Sequence, residues 1–171
     1  MRALLATFAL LLAAGAASAM SLSSRDFSDG GKIPPAQIYS RCGGDNVSPE
    51  LSWKGVPGSA RTLMITMIDH DVAPDMWSHW IVIGIPPQTT GLARGAALPA
   101  GEHALVNNFG QAGYDGPCPP MGTGTHRYRI TLWALPMADP HILGNAPAKD
   151  LETTLPQLAI DHASIMGTVS R

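Results

Sequence analysis

Three short segments of the sequence concentrate side chains that can bind or react. They are DHDVAP at 69–74, WSHW at 77–80 and HRY at 126–128, the last preceded by the loop GYDGPCPPMGTGT at 113–125. Imidazole, phenol and carboxylate groups can donate or accept hydrogen bonds and can exchange protons. These residue types make the three segments candidates for a binding or reacting site, without identifying its ligand.

Each of the three segments lies at one end of a predicted β-strand. Residues 62–69 (TLMITMID) and 79–85 (HWIVIGI) are apolar on both faces, which is typical of central strands. Residues 126–135 (HRYRITLWAL) alternate more clearly, so His126 and Tyr128 point the same way, about 6.8 Å apart along the strand. We expect both side chains to line one wall of a pocket.

The composition favours β structure. Fifteen prolines and eighteen glycines, with only 6% aromatic residues, predict many short strands joined by tight turns. One helix is predicted near the C-terminus, because Leu151, Leu155, Leu158 and His162 fall at helical spacing. Pro156 is expected to kink or break that helix. The expected fold class is mostly β with a minor helical part at the C-terminus.

The first 19 residues have the layout of a secretory signal peptide. Arg2 precedes an apolar run from Ala3 to Leu12, and small residues lead to a predicted cleavage after Ala19. The run is shorter than the roughly 20 residues needed to span a bilayer, which makes a membrane anchor the weaker alternative. We therefore predict an exported, periplasmic or secreted protein in which residues 20–171 form one domain, without stable membrane insertion.

Charge and size exclude some function classes. Removing 19 of the 171 residues leaves 152, with 10 basic and 13 acidic side chains and a net charge of −3. This balance does not suggest a nucleic-acid partner. A chain of this length can bury a core without metals or many disulfides. After export, Cys42 and Cys118 could form a disulfide, and two buried free thiols are the alternative.

Each candidate residue also has a purely structural interpretation. A strand histidine is often hydrogen-bonded within the core, and the aspartates of residues 69–71 could bond nearby turn amides. Trp77 and Trp80 could simply fill the core. Only the combination of the segments indicates a binding site.

In combination, the segments resemble the phosphatidylethanolamine-binding protein family, in its bacterial Raf kinase inhibitor-like branch. The matching pieces are CGGDNVSPELSW at 42–53, DHDVAP at 69–74, WSHW at 77–80, and GYDGPCPP with GTGTHRY within 113–128. They occur in the family's order and spacing, and they organise most of the mature chain between Cys42 and Leu135.

The resemblance implies a large central β-sheet packed with a smaller sheet, short C-terminal helices and a small anion pocket at one end of the sheet. Pocket residues carried over from the family are Asp69, Asp71, His79, Pro119, Pro120, His126 and Tyr128, with Ala73, Pro74 and Cys118 at the rim. The cysteine pair also fits the bacterial branch. His70 stands where the family usually has proline, which adds a possible ligand or titrating neighbour. Val72 stands where the family usually has alanine, and its larger side chain narrows the rim of the pocket.

The favoured prediction is an exported, non-catalytic protein that binds a phosphate-like anion or a phosphorylated head group, with modulation of a partner protein as an additional role. It needs no cofactor and no metal, and the sequence has no G-x-S-x-G motif. We expect Asp69 and Asp71 to orient histidines or backbone amides, since a bare carboxylate would repel the anion. The alternatives are an inhibitor of a protease or other protein, and a metal-assisted hydrolase using His79, His126 and Asp69.

Overall fold

A six-stranded sheet forms the centre of the fold in the computed structural model, which describes residues 19–142 and 146–171. Its strands follow the order β2-β9-β8-β4-β5-β7, and a second sheet has the order β1-β3-β6. The strands are β1 (Ser21–Ser23), β2 (Gly31–Lys32), β3 (Leu51–Lys54), β4 (Thr62–Asp69), β5 (Trp77–Ile85), β6 (Gly91–Leu92), β7 (His103–Ala104), β8 (Thr125–Leu135) and β9 (Asp161–Ser170). One α-helix, α1 (Ala148–Leu158), and two short 3-10 turns, Pro35–Gln37 and Ser40–Cys42, complete the described chain.

The two faces of the large sheet are covered differently. Alternate residues of β4, such as Leu63 and Met67, belong to the main core, which also contains residues of the small sheet. The intervening residues Met64 and Ile68 pack in a second cluster that contains Leu151 and Leu155 of α1. Every residue of β4 is therefore buried, which explains why its sequence is apolar on both faces.

The predicted central strands and the mostly β fold class are confirmed, but the prediction for the C-terminus is wrong in one part. The helix ends at Leu158, and His162 lies on β9, the antiparallel neighbour of β8. Pro156 lies in the last turn of α1, where its missing N–H removes one hydrogen bond of the ladder, while the Ala159 N–H still donates to the Leu155 carbonyl. The spacing that suggested one continuous helix through His162 therefore spans a helix and a separate strand.

Strand β9 has a weak hydrophobic pattern because two of its three buried positions carry small residues, the third being Ile165. Ala163 and Gly167 are both buried there. A Cβ at Gly167 would collide with the side chain of Ile33, so a larger residue would separate β9 from the segment that follows β2. The strand depends on long-range pairing with β8 and β2 rather than on its own hydrophobicity.

Residues 1–18 of the predicted signal peptide lie outside the described residues, and Ala19 is the first residue described. None of the helices in the described ranges is long and apolar enough to cross a membrane.

The two cysteines are joined by a disulfide. The bond connects Cys42, at the end of the second 3-10 turn, to Cys118 in the loop before β8, with their Cα atoms 5.7 Å apart. Hydrogen bonds reinforce the same junction: the Tyr39 N–H donates to the Pro117 carbonyl, and the Gly116 N–H donates to Asn46 Oδ1. The loop before β8 is thus fixed to a segment about 76 residues away in sequence.

Replacing both cysteines, in Cys42→Ser/Cys118→Ser, should lower the free energy of unfolding by about 2–4 kcal/mol, because the unfolded chain loses a constraint. Urea unfolding of the variant and the parent would measure this. Reduction should add two hydrogens to the mass of the parent. If the purified protein shows no such mass change, the disulfide is absent and the prediction fails.

Shortening a buried side chain of α1, in Leu155→Ala, should destabilise the protein by about 2–5 kcal/mol, because it leaves a cavity between helix and sheet. The control is Thr154→Ala, on the exposed side of the same helix. Urea unfolding should separate the two variants clearly. Equal midpoints would show that α1 contributes little to the stability of the core.

Candidate functional site

A cavity of about 260 Å³ opens at the end of the large sheet where β4 ends and β5 begins. It lies between this sheet end, the loop that contains Phe109 and the loop before β8. The residues that line it are Asp69, Val72, Trp77, His79, Phe109, Cys118, Pro119, Pro120 and Tyr128.

Strand register brings the polar residues of the cavity together. Asp69 is the last residue of β4, and it pairs with Trp77 on β5 and with Tyr128 on β8. His79 is the extra residue of a β-bulge between Ser78 and Trp80, and it lines the same cavity as Trp77. Three neighbouring strands thus place a carboxylate, an imidazole and a phenol around one space.

His79 is buried and held by the loop that precedes Cys118. Its Nδ1 lies 2.7 Å from the carbonyl oxygen of Asp115 and donates to it. Asp115 is fixed in turn, because Asn107 donates to its carboxylate over 2.8 Å and its own N–H donates to the His79 carbonyl. Burial of the ring lowers the pKa of His79, so the side chain is neutral at pH 7. Because Nδ1 carries the proton, Nε2 is a hydrogen-bond acceptor, and it is the ring nitrogen that a ligand can contact.

The Asp69 carboxylate is occupied by donors of the protein. Oδ2 lies 2.7 Å from His126 Nδ1, and Oδ1 accepts the Asp71 N–H over 2.9 Å. On the other side of its ring, His126 Nε2 lies 2.9 Å from Thr123 Oγ1, which donates to the carbonyl of Pro120. Both ring nitrogens of His126 thus contact polar groups of the protein. His126 therefore connects the end of β4 to the proline loop.

Asp71 lies outside the cavity and binds Arg127. Its carboxylate accepts from the Arg127 N–H, Nε and Nη2 over 2.7, 3.0 and 2.7 Å. The hydrogen bond from the Arg127 side chain is the main cause that lowers the pKa of Asp71. This residue fixes the turn after β4 against β8 and does not line the cavity.

Tyr128 has a hydroxyl without a hydrogen-bond partner. The side chain is fully buried, and its oxygen makes no hydrogen bond of normal distance and angle among the described residues, although the Asp69 carboxylate lies nearby. Burial, followed by the nearby charge of Asp69, raises the pKa of Tyr128, so the hydroxyl keeps its proton. A buried hydroxyl that faces a cavity and lacks a partner marks a position where a ligand or water can bind.

The structure brings most of the predicted site residues to the cavity. Those that line it are Asp69, His79, Cys118, Pro119, Pro120 and Tyr128, whereas Asp71, Ala73, Pro74 and His126 do not. Val72 also lines the cavity, as its position at the rim suggested. His70 does not, and its Nε2 lies 3.8 Å from Glu152 of α1 on the other face of the sheet.

Phe109 was not found from the sequence, and Trp77 was considered only as core. The Phe109 ring packs edge-on against His79 and Trp77, with ring centroids 5.3 and 5.8 Å apart. Asn107 Oδ1 accepts the Phe109 N–H over 2.8 Å and fixes the loop. A single aromatic residue within the polar, glycine-containing stretch NNFGQAG was the available signal.

A metal centre was one of the alternatives considered from the sequence. Within residues 19–142 and 146–171, no group of three or more histidine, cysteine, aspartate or glutamate side chains is arranged to hold a metal ion. His79 Nδ1 and both ring nitrogens of His126 already contact protein atoms.

Several known proteins are similar to this chain in sequence and in fold. Residues 23–170 match the family model described as phosphatidylethanolamine-binding protein. The chain is 39% identical over 155 residues to the putative lipoprotein LppC of Mycobacterium tuberculosis, covering 91% of this chain and 74% of that protein. It is 34% identical over 171 residues to a UPF0098 protein of Aquifex aeolicus, covering 98% and 97% of the two chains.

A solved structure gives the same result for the fold. Escherichia coli YbcL, described as a new member of the mammalian PEBP family, superimposes with a TM-score of 0.80 at 30% identity. The match covers 90% of this chain and 99% of YbcL. The sequence motifs, the two-sheet fold and these similarities together lead to one assignment: the chain belongs to the phosphatidylethanolamine-binding protein family.

Proposed function

We propose that this protein is an exported, non-catalytic binding protein whose cavity takes a phosphate-like anion, either free or as part of a phosphorylated head group. The observation that carries the proposal is the Tyr128 hydroxyl, buried without a partner in the same cavity as His79. An anion oxygen would accept from the hydroxyl. A protonated oxygen of the ligand could donate to His79 Nε2. Alternatively, His79 could take up a proton and donate from Nε2 to an oxygen of the anion.

The Asp69 carboxylate does not prevent this binding. It already accepts from His126 and from the Asp71 amide, so donors of the protein offset its charge. The arrangement matches the expectation that the aspartates orient other groups. A ligand would contact Tyr128 and His79, while Asp69 holds the His126 ring and the Asp71 amide in position.

The cavity is largely formed before a ligand binds. Pro119 and Pro120 have fixed φ angles, the adjacent disulfide anchors their loop, and His126 holds that loop through Thr123. A preformed site spares the ordering entropy that a flexible loop would lose on binding. Trp77 and Phe109 would pack against the carbon atoms of a head group.

The same contacts support binding without catalysis. The residues that line the cavity include no serine or threonine, and the two rings that could act as bases are held by Asp115, Asp69 and Thr123. In the metal-assisted alternative, His126 would have to give up its contact with Asp69 or with Thr123 to free a ring nitrogen for a metal. We therefore favour a binding role over hydrolysis.

Export and a protein partner are further parts of the proposal. The predicted signal peptide at residues 1–19 supports export, and the relative LppC is named a putative lipoprotein. A partner would contact the rim of the cavity. Next to Pro120, Met121 exposes 79% of its surface and offers an apolar contact there.

Removing the unpartnered hydroxyl, in Tyr128→Phe, should weaken binding of phosphate about tenfold or more, because a hydrogen bond to a charged group is lost. Stability should not fall, because the hydroxyl has no partner in the free protein. Calorimetric titration and urea unfolding would measure the two effects.

The matched control is Tyr114→Phe, whose hydroxyl donates to the Gln37 carbonyl over 2.8 Å outside the cavity. This variant should lose about 1 kcal/mol of stability and keep its phosphate affinity. Unchanged phosphate binding in Tyr128→Phe would remove the main support for the proposed function.

Binding of sulfate should strengthen as the pH falls from 8 to 5. The pKa of free His79 is below its usual 6.5, and an anion beside Nε2 would raise it, so each binding event takes up a proton. Affinity should then rise by up to about tenfold per pH unit between the two pKa values. Sulfate is the suitable probe because it does not itself titrate in this range.

The His79→Gln variant should bind sulfate with little dependence on pH. Calorimetric titration at several pH values, in buffers of different ionisation enthalpy, would also count the protons taken up. A flat affinity between pH 5 and 8 in the parent protein would contradict the role of His79.

A further inference from the structure

A second and larger cavity lies on the other side of the disulfide. Its volume is about 500 Å³, within the range of about 300–1,000 Å³ of small-molecule sites. Cys42 lines this cavity and Cys118 lines the candidate anion site, so the disulfide stands between the two. None of the residues that line the candidate anion site also lines this one.

Apolar side chains form part of the wall of this second cavity, next to the hydroxyl-bearing residues Thr125, Thr168 and Ser170. Ile33, Pro35, Ile38 and Val169 contribute to its walls. Ile33 is buried, whereas Ile38 and Val169 are partly buried and pack against the main core. Aliphatic carbon of a ligand would therefore lie against aliphatic side chains that the core already holds in place.

The charged residues that line the cavity are both cationic. They are Lys32 and Arg171, and no aspartate or glutamate lines the cavity. Neither takes part in the ion pairs found among the described residues. The Arg171 guanidinium instead contacts the sulfur of Cys42, a weak acceptor, and the carbonyl of Pro119. Two cations beside an apolar space complement an anionic group attached to a carbon chain.

An unpaired strand edge adds polar groups at the same place. The Ile33 N–H donates to the Thr168 carbonyl over 3.0 Å, and the next two residues are Pro34 and Pro35, which have no N–H to continue the pairing. Ser170 points its backbone groups to the same side as Thr168, because alternate residues of a strand do so. The Arg171 carbonyl lies on the other side, where it accepts from Gly122.

From these contacts we propose that the second cavity binds a medium-chain carboxylate. The carboxylate lies between Lys32 and Arg171, and the aliphatic chain packs against Ile33, Ile38 and Val169. The guanidinium supplies two parallel donors that match a carboxylate, and the lysine adds a second positive charge. The site is separate from the proposed anion cavity and does not depend on its function.

The test is titration with octanoate, followed by methyl NMR of the isoleucines and valines and by calorimetry. The protein is the mature chain in excess inorganic phosphate, which keeps the candidate anion site occupied or shows it to be inert. Octanoate should shift the methyl signals of Ile33, Ile38 and Val169 in a saturable manner. Octanol, which has the same chain without the charge, should bind at least tenfold more weakly.

Variants of the two cationic residues measure how much their charges contribute to octanoate binding, apart from the apolar contacts of the chain. Lys32→Gln and Arg171→Gln should each weaken octanoate binding about threefold to tenfold, as expected for partly exposed charge contacts. Lys54→Gln removes the same charge from β3, where Lys54 lines neither cavity, and should change nothing. Lys32→Gln should fold as the parent does, because Lys32 is exposed. Urea unfolding of Arg171→Gln checks that loss of its contact with the Pro119 carbonyl leaves the fold intact.

Three outcomes would overturn the proposal. The first is the absence of saturable shifts at these methyl groups up to millimolar octanoate. The second is equal affinity for octanoate and octanol, which would show that the cations contribute nothing. The third is shifts confined to Val72 and other residues near the first cavity, which would show that octanoate binds there instead.

Discussion

The buried contact between Asp69 and His126 holds together the elements on which the candidate site depends. The two side chains are 3% and 5% exposed, and their atoms lie 2.7 Å apart between neighbouring strands. A carboxylate at such a depth is tolerated only when donors satisfy it. Here the His126 ring and the Asp71 amide do so. Through Thr123 the same contact extends to Pro120, and so to the wall of the cavity.

A second constraint comes from the disulfide. It fixes the loop before β8 against the turns that precede β3, and each of its cysteines lines a different cavity. Arg171 reaches across the bond, because its guanidinium contacts Cys42 in one cavity and the carbonyl of Pro119 in the wall of the other. The two cavities are therefore built on one junction, even though their chemistry differs.

His70 shows how strand geometry limits what a sequence motif can mean. The histidine is adjacent to Asp69 and was considered a possible ligand or titrating neighbour. Because successive residues of a strand point to opposite faces, the residue after Asp69 turns away from the cavity. His70 instead lies near Glu152 of α1, which also pairs with Arg129 on β8. Burial is the main cause that lowers the pKa of His70 there.

The sequence by itself determined strands β4, β5 and β8, the mostly β class, the family, and the segments that meet at the cavity. These features depend on local periodicity and on motifs whose residues are close in sequence. Only the tertiary structure decided that His126 contacts Asp69 and Thr123 instead of lining the cavity, and that Phe109 does line it. It also decided that residues 161–170 form a strand. Each of these depends on partners far along the chain, because strand register and loop packing place together groups that no local pattern connects.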